Sequence, residues 1–109
     1  MKPLLNFTET KKFTKKVVKL LSDEIYTRLQ IDLCNDPQLG EIIQGSGGIR
    51  KLRWAIEGKG KRGGARIIYY WAASDGKILM LEIYKKNEKA DLSKNELLKL
   101  RKIVEELLK

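Results

Sequence analysis

Residues 65–84 read ARIIYYWAASDGKILMLEIY, and this stretch decides the fold. Ala65 to Ala72 is rich in the β-branched and aromatic residues that favour strands, and Ile78 to Tyr84 has a similar apolar character. Between the two runs, Ser74-Asp75-Gly76 supplies residues typical of turns. The stretch therefore predicts a β-hairpin, in which two antiparallel strands are joined by a tight turn.

A third strand is predicted before the hairpin. Residues 49–56 alternate between an apolar face and a mostly basic face, as a half-buried strand does. The apolar face carries Leu52 and Trp54, and the basic face carries Lys51 and Arg53. Three antiparallel strands with two exposed cations follow from this pattern.

Helices are predicted at both ends of the chain. Thr10 to Leu21 has apolar residues at three- and four-residue spacing, with lysines between them. Ser22 is an N-cap for a second helix, which Asn35-Asp36-Pro37 ends. The segment 39–48, interrupted by glycines, is predicted as a loop anchored by its two isoleucines. Ser93-Lys94-Asn95-Glu96 is a capping box and opens a C-terminal helix.

These elements predict an α+β fold, in which two N-terminal helices pack on a small, mainly antiparallel sheet and a C-terminal helix follows. The chain has 109 residues, which is a common domain size and is enough for one hydrophobic core. We therefore expect residues 1–109 to form a single domain.

Positive charge is concentrated in one part of the chain. Residues 45–66 carry seven Lys or Arg against one Asp or Glu, so they supply +6 of the net charge of +9. A concentrated basic patch is the electrostatic footprint of a protein that binds a polyanion, although such a patch is also found on loops that are merely solvated. Nucleic acid is the leading candidate for a partner.

The composition excludes several classes of chemistry. Cys34 is the only cysteine and the chain has no histidine, so neither a zinc site of the usual ligands nor a histidine-dependent triad is expected. Gly58 to Gly63 formally fits G-x-G-x-x-G, but a strand follows where a dinucleotide site needs a helix. We expect no metal and no cofactor. The N-terminus lacks a secretory hydrophobic segment, so a cytoplasmic protein without membrane association is expected.

The hairpin brings two basic clusters together. Counting back from the turn pairs Arg66 with residues 83–85, so the strand that begins at Arg66 lies beside the end of its partner. Lys85 and Lys86 follow that end, and the preceding strand adds its two cations to the same site. In the glycine tract before Arg66, we expect Lys59, Lys61 and Arg62 to hold the phosphates of a nucleic acid, because its glycines give those side chains reach.

Such a site suits cleavage of RNA by its own 2′-hydroxyl. That reaction needs a group that accepts a proton, a group that protonates the leaving 5′-oxygen, and cations that stabilise the charge on phosphorus. Crowded cations lower the pKa of a lysine, which can then act as the base without histidine. Glu88 is interpreted either as a base or as an ion-pair partner of Lys85 or Lys89. Tyr84 either stacks on a nucleobase of the RNA or lies at the edge of the core.

Three separated segments carry a family resemblance. They are Gly48 to Trp54 (GIRKLRW), Gly58 to Tyr70 (GKGKRGGARIIYY) and Tyr84 to Leu92 (YKKNEKADL). In this order, and in a chain of this length, they resemble the HigB branch of the RelE-type toxins of bacterial toxin–antitoxin modules. Earlier segments, Leu21 to Glu24 and Asn35 to Gly45, also suit that branch, so the resemblance spans almost the whole chain.

The resemblance implies a RelE-like microbial ribonuclease fold and a metal-independent endoribonuclease, an mRNA interferase that inhibits translation. Its substrate would be mRNA in the A site of the 70S ribosome. It also implies a cognate helix-turn-helix antitoxin that neutralises the toxin, with operator DNA bound only through the antitoxin complex.

The family's site residues transfer by motif. Arg66 matches the arginine at the family's Gly-x-Arg strand start, and Lys51 and Arg53 match its paired cations on the preceding strand. Lys86 stands where the family often has an arginine, and a lysine cannot fork onto a phosphate as an arginine does. Leu92 stands where the family has a tyrosine. The catalytic candidates are therefore Arg66, Lys86, Lys51, Arg53 and Glu88, and the binding candidates are Lys59, Lys61, Arg62, Lys85, Lys89 and Tyr84.

Two alternatives use the same basic surface. One is a non-catalytic module that binds RNA or the ribosome, and the other is a ParE-like inhibitor of DNA gyrase on a similar fold. The cations around Arg66 favour the ribonuclease. The sequence gives neither the base preference of cleavage nor the identity of the general base.

Overall fold

The computed structural model describes residues 5–56 and 64–109. In these ranges three α-helices accompany a five-stranded sheet. In chain order the elements are β1 (Asn6–Glu9), α1 (Lys11–Leu20), α2 (Asp23–Asn35), β2 (Glu41–Ile42), β3 (Arg50–Trp54), β4 (Ala65–Ala72), β5 (Lys77–Lys85) and α3 (Lys94–Leu107). The strand order is β1-β5-β4-β3-β2, with β1 parallel to β5 and every other pair antiparallel. The predicted α+β fold with a mainly antiparallel sheet is confirmed.

The β4–β5 hairpin has the predicted register. Arg66 pairs with Tyr84, in the middle of the predicted range. Midway along β4 the register shifts, since Ile68 pairs with Glu82 while Tyr69 pairs with Met80, which leaves Leu81 as the extra residue of a bulge. A short 3₁₀ turn closes the hairpin, and Gly76 follows it with the left-handed φ of 63° that glycine adopts without strain.

Helices cover both faces of the sheet. On one face, here called the α1–α2 face, Phe13 of α1 and Leu29 of α2 pack with Ile67 and are fully buried. On the other, the α3 face, Leu100 of α3 packs with Ile68. Successive residues of a strand point to opposite faces, and helices cover both faces here. The side chains of β4 and β5 are therefore buried on both sides of the sheet.

Each helix begins at a residue whose side chain caps it. The hydroxyl oxygens of Thr10, Ser22 and Ser93 accept hydrogen bonds from backbone N–H groups in the first turn of α1, α2 and α3. At α3 the reciprocal bond from Ser93 N–H to the Glu96 carboxylate completes the predicted capping box. The helix starts could thus be predicted closely. None of the helices in residues 5–56 and 64–109 is long and apolar enough to cross a membrane.

Two short edge strands were not predicted. The segment 39–48 was expected to be a loop anchored by its isoleucines, yet Glu41–Ile42 pairs with β3, and Ile42 is 57% exposed. Tyr69 positions this segment, because its hydroxyl donates to Pro37 O at 2.8 Å and accepts from Gly40 N at 2.8 Å. At the other edge, Asn6–Glu9 pairs with β5 beside the turn end of the hairpin.

Candidate active site

Polar side chains form a row across three strands on the α3 face. Arg53 of β3 pairs with Arg66 of β4, and Arg66 pairs with Tyr84 of β5. Residues directly opposite each other in an antiparallel pair point to the same face, so the three side chains are neighbours. Lys51 lies two residues from Arg53 on β3 and therefore on the same face. The predicted grouping of Lys51, Arg53 and Arg66 is present in the structure.

The two arginines of this row differ in their surroundings. Arg66 is only 5% exposed, whereas Arg53 is exposed. Among the described residues, the Arg66 guanidinium makes one hydrogen bond, from Nη1 to Ala65 O at 3.5 Å. An arginine carries five N–H donors, so this buried guanidinium keeps capacity to bind an anion. Arg66 is therefore the buried cation of the site, and Arg53 is the exposed one.

Lys51 is held by an acid from outside the sheet. Its Nζ lies 2.6 Å from Oδ1 of Asp91, which belongs to the segment 86–93 between β5 and α3. The hydrogen bond from Lys51 and its charge lower the pKa of Asp91, and the charge of Arg66 acts in the same direction. The Asp91 carboxylate therefore lies within the field of two candidate cations.

Tyr84 lies inside the core, under the segment 86–93. Its side chain is fully buried, and its hydroxyl has no hydrogen-bond partner among the residues that the structure describes. Burial raises the pKa of Tyr84 to about 12, and the negative charge of Asp91 adds to the shift. The Nζ of Lys89 lies 5.1 Å from the centroid of the Tyr84 ring, which is a cation–π distance. Of the two predicted roles, this position fits the core rather than stacking on a base.

The same Lys89 also pairs with α3. Its Nζ lies 2.5 Å from Oε2 of Glu96. The hydrogen bond from Lys89, followed by the one from Ser93 N–H, lowers the pKa of Glu96 to about 2. Lys89 thus connects the end of β5 to the first turn of α3, and its ammonium is already engaged on two sides.

The two lysines after Tyr84 are not equivalent. Lys85 pairs with Ala65, and the alternation along β5 directs its side chain to the α1–α2 face, away from Arg66. Lys86 continues the pairing, because its N–H donates to Gly64 O at 3.3 Å, and its side chain is exposed. Both lysines thus lie beside the start of β4, and Lys85 is the one of the two that is directed away from Arg66.

Glu88 has a different partner from the one predicted. Its Oε2 lies 3.3 Å from Nζ of Lys16 in α1, and this is its ion pair among the described residues, although the backbone of Lys85 and the charge of Lys89 also act on the carboxylate. The pKa of Glu88 is lowered: burial opposes the change, but the hydrogen bond from Lys16 and its charge outweigh burial. The predicted partners were wrong because α1 passes the edge of β5, an arrangement that strand periodicity does not reveal.

A buried carboxylate joins α1 to the same edge of the sheet. Glu82 is 3% exposed, and its Oε2 lies 2.8 Å from Nζ of Lys12. Its Oε1 accepts from Ile83 N–H at 3.0 Å and lies 3.3 Å from Nζ of Lys16. The hydrogen bond to Glu82 raises the pKa of Lys12. Lys16 therefore bridges Glu82 and Glu88, and through them α1 contacts the turn that follows β5.

Sequence reasoning missed Asp91 and Lys16 as parts of this site. One signal was available for Asp91, which is one of two acids in a segment that follows a basic cluster. The predicted binding residues Lys59, Lys61 and Arg62 lie outside the described residues. The described site therefore consists of a buried arginine, an exposed arginine and two lysines, which together can bind a phosphate group and stabilise added charge on it.

Comparison with known proteins agrees with this fold. The structure is similar to a solved structure of the Escherichia coli toxin RelE, a mutant with two arginines changed to alanine, in the free state. The TM-score is 0.62 at 13% sequence identity, over 89% of this chain and 97% of that chain. In addition, the family model described as "RelE toxin of RelE / RelB toxin-antitoxin system" matches residues 10–109. This match covers nearly the whole sequence, and the chain belongs to the RelE toxin family of the RelE/RelB toxin–antitoxin systems.

Proposed function

We propose that this RelE-family toxin is a metal-independent endoribonuclease that cleaves mRNA in the ribosomal A site and so inhibits translation. The observation that carries the proposal is the position of Arg66, which is a buried cation at a defined register position of β4, on the same face as Arg53 and Lys51. A rigid cation that is already oriented stabilises charge developing on phosphorus without reorganising during the reaction.

The proposed reaction is attack of a ribose 2′-hydroxyl on the adjacent phosphate, which releases the 5′-oxygen of the next nucleotide. Arg66 binds the phosphate through its guanidinium and stabilises the charge of the transition state. Arg53 and Lys51 add positive charge on the same face. The 2′-oxygen bonds to phosphorus as the bond from phosphorus to the 5′-oxygen breaks. The exposed ammonium of Lys86, beside Gly64, is the candidate that gives a proton to the leaving 5′-oxygen. The 2′-hydroxyl proton passes to water, because the Glu88 carboxylate is already paired with Lys16.

The proposal extends to the partners of the toxin. Membership of a toxin–antitoxin family supports a cognate antitoxin. The three sequence segments that resemble the HigB branch further suggest an antitoxin with a helix-turn-helix, which would connect the complex to operator DNA. The 70S ribosome and its mRNA would be met in the cytoplasm, where translation takes place.

The test is induced expression of the wild-type protein and of Arg66→Ala, with primer extension on several messages. We expect cuts in ribosome-bound messages with the wild type, and a loss of at least about a hundredfold with Arg66→Ala, the usual range for one oriented donor. Arg28→Ala, on α2, removes an arginine outside the row and is the matched control. Circular dichroism and a urea transition on both variants would establish that the fold is kept.

The alternatives give different results in the same experiment. Intact messages together with damaged DNA would indicate a gyrase inhibitor. Intact messages together with sedimentation of the protein with ribosomes would indicate a binding module without catalysis. Cuts that persist in Arg66→Ala would reject Arg66 as the residue that stabilises the transition state.

A further inference from the structure

The segment 86–93 closes over the polar row of the α3 face. At its start Lys86 N–H bonds to Gly64 O, and near its end Asp91 pairs with Lys51 of β3. Below it lies Tyr84, which is fully buried, and beside Tyr84 lies Arg66, which is 5% exposed. The ion pair between Asp91 and Lys51 therefore connects this segment to β3, the far strand of the row.

In the free protein the Asp91 carboxylate is the anion that Lys51 of this surface binds. Strands β3 and β4 contain basic residues but no Asp or Glu, so they offer cations without acids of their own. Lys51 donates to Asp91 at 2.6 Å, and the same carboxylate feels the charge of Arg66. Carboxylate and phosphate oxygens bind lysine and arginine through the same charge-assisted hydrogen bonds. A phosphate group placed here would satisfy the same donors.

We propose that the Asp91 carboxylate occupies the position of an RNA phosphate group, and that RNA binding breaks the ion pair between Asp91 and Lys51. This inference rests on the proposed function in that it takes RNA as the ligand of the site. In the free toxin Asp91 keeps Lys51 in place and lowers the affinity of the surface for other anions. When RNA enters, its phosphate takes the Lys51 ammonium, and Asp91 turns to solvent.

The exposure of the pair makes such an exchange feasible. The Asp91 side chain is 69% exposed and the Lys51 side chain is 30% exposed. Ion pairs at this exposure contribute little to stability, so breaking one has a small cost. An RNA chain also carries further phosphates that can approach Arg53 and Arg66, whereas the hydrogen bond of the Asp91 carboxylate in the described residues comes from Lys51. The exchange is favoured because several phosphate contacts with RNA replace the single ion pair between Asp91 and Lys51.

The experiment measures binding without cleavage. The probe is a short 2′-O-methyl RNA, which cannot react because its 2′-hydroxyl is blocked, titrated into wild type, Asp91→Asn and Asp75→Asn. Asp75→Asn lies at the turn end of the hairpin and changes the net charge by the same amount. We expect Asp91→Asn to bind about two to five times more tightly than Asp75→Asn, the range given by an exposed ion pair.

A double substitution tests whether the effect acts through Lys51. In a Lys51→Met background, Asp91→Asn should change the affinity no more than Asp75→Asn does, because the competing ion pair is already gone. Equal affinities of Asp91→Asn and Asp75→Asn in the wild-type background would overturn the proposal. Weaker binding by Asp91→Asn would also overturn it, since the carboxylate would then assist binding.

This outcome is independent of catalysis. If tighter binding by Asp91→Asn appears while ribosomes carry no cut messages, only the proposed ribonuclease activity fails. If cuts appear but the two asparagine variants bind equally, only the role of Asp91 fails.

Discussion

Arg53 and Arg66 lie directly opposite each other on β3 and β4, with both side chains on the α3 face. Like charges directly opposite on neighbouring strands destabilise a sheet. A phosphate bound between the two guanidinium groups would remove this repulsion. The pair is thus better suited to the bound state than to the free one, which supports a role in binding anions.

Arg53→Gln is therefore expected to weaken RNA binding while leaving the fold equally or slightly more stable. Removing one phosphate contact should lower the slope of log affinity against log salt by about 0.7, the value for a single-stranded ligand. The measurement is a salt titration with the 2′-O-methyl RNA, alongside urea unfolding. An unchanged slope would mean that Arg53 makes no phosphate contact.

Arg50→Gln gives the contrast on the same strand. Arg50 Nη1 donates to Gly40 O at 2.7 Å and to Gln38 O at 3.3 Å, so it holds the segment before β2. We expect this substitution to lower stability and to leave the salt slope unchanged.

Two buried tyrosines should respond in opposite ways to loss of their hydroxyl groups. Tyr69→Phe leaves Gly40 N–H and Pro37 O without the partner they have now, and we expect a loss of about 1–3 kcal/mol. Tyr84→Phe removes a hydroxyl that has no partner among the described residues, so stability should be unchanged or higher. Urea unfolding of both variants checks the pair. A large loss with Tyr84→Phe would mean that its hydroxyl has a partner in solution.

The register of the central hairpin could be predicted because its signals are local. The turn residues mark where the chain reverses, and counting back from them gives the pairing. The edge strands could not be predicted in this way. Asn6–Glu9 is four residues long and pairs in parallel with a strand about 70 residues later, and Glu41–Ile42 depends on the Tyr69 hydroxyl. Their positions follow from tertiary contacts rather than from pattern.

The same distinction applies to the site. Strand alternation was enough to group Lys51, Arg53 and Arg66, because neighbouring strands keep a regular register. The acids and lysines that pair around them are far apart in sequence. Lys51 and Asp91 are 40 residues apart, and Lys16 and Glu88 are 72 apart. Such pairs depend on the path of a loop and a helix across the sheet, which one sequence does not reveal.

Glu82 and its two lysines should show an asymmetry in stability. Glu82→Gln keeps an acceptor for Ile83 N–H and frees Lys12 to enter solvent, so its cost should be small. Lys12→Ala with Lys16→Ala instead leaves a carboxylate that is 3% exposed without its partners, and removing the partners of a buried charge costs about 3–5 kcal/mol.

Urea unfolding of the three combinations measures this asymmetry. Glu82→Gln added to the double lysine variant should recover most of the lost stability, because no buried charge remains. A cost of Glu82→Gln as large as that of the lysine pair would contradict the expected order.

Stability at acidic pH should depend on Glu96. Its pKa is lowered from 4.5 to about 2, first by the hydrogen bond from Lys89 and then by the one from Ser93 N–H. A carboxylate with a lowered pKa stabilises the fold above its unfolded pKa, and this contribution disappears as the pH falls from about 4.5 toward 2. Because the pair is partly exposed, we expect the contribution to be about 0.2–1 kcal/mol.

The comparison is between wild type and Glu96→Gln, with urea unfolding measured from neutral pH to about pH 2.5. Glutamine also serves at this position of a capping box, so the bond from Ser93 N–H is kept while the charge is lost. The difference in stability should be largest at neutral pH and should shrink below about pH 4.5. Asp91 and Glu88 have pKa shifts in the same direction, but they are present in both proteins and cancel in the difference.

In a Lys89→Gln background most of the difference should disappear, because the main cause of the shift is gone. A difference that stays constant with pH would show that Glu96 stabilises α3 through its shape rather than through its charge.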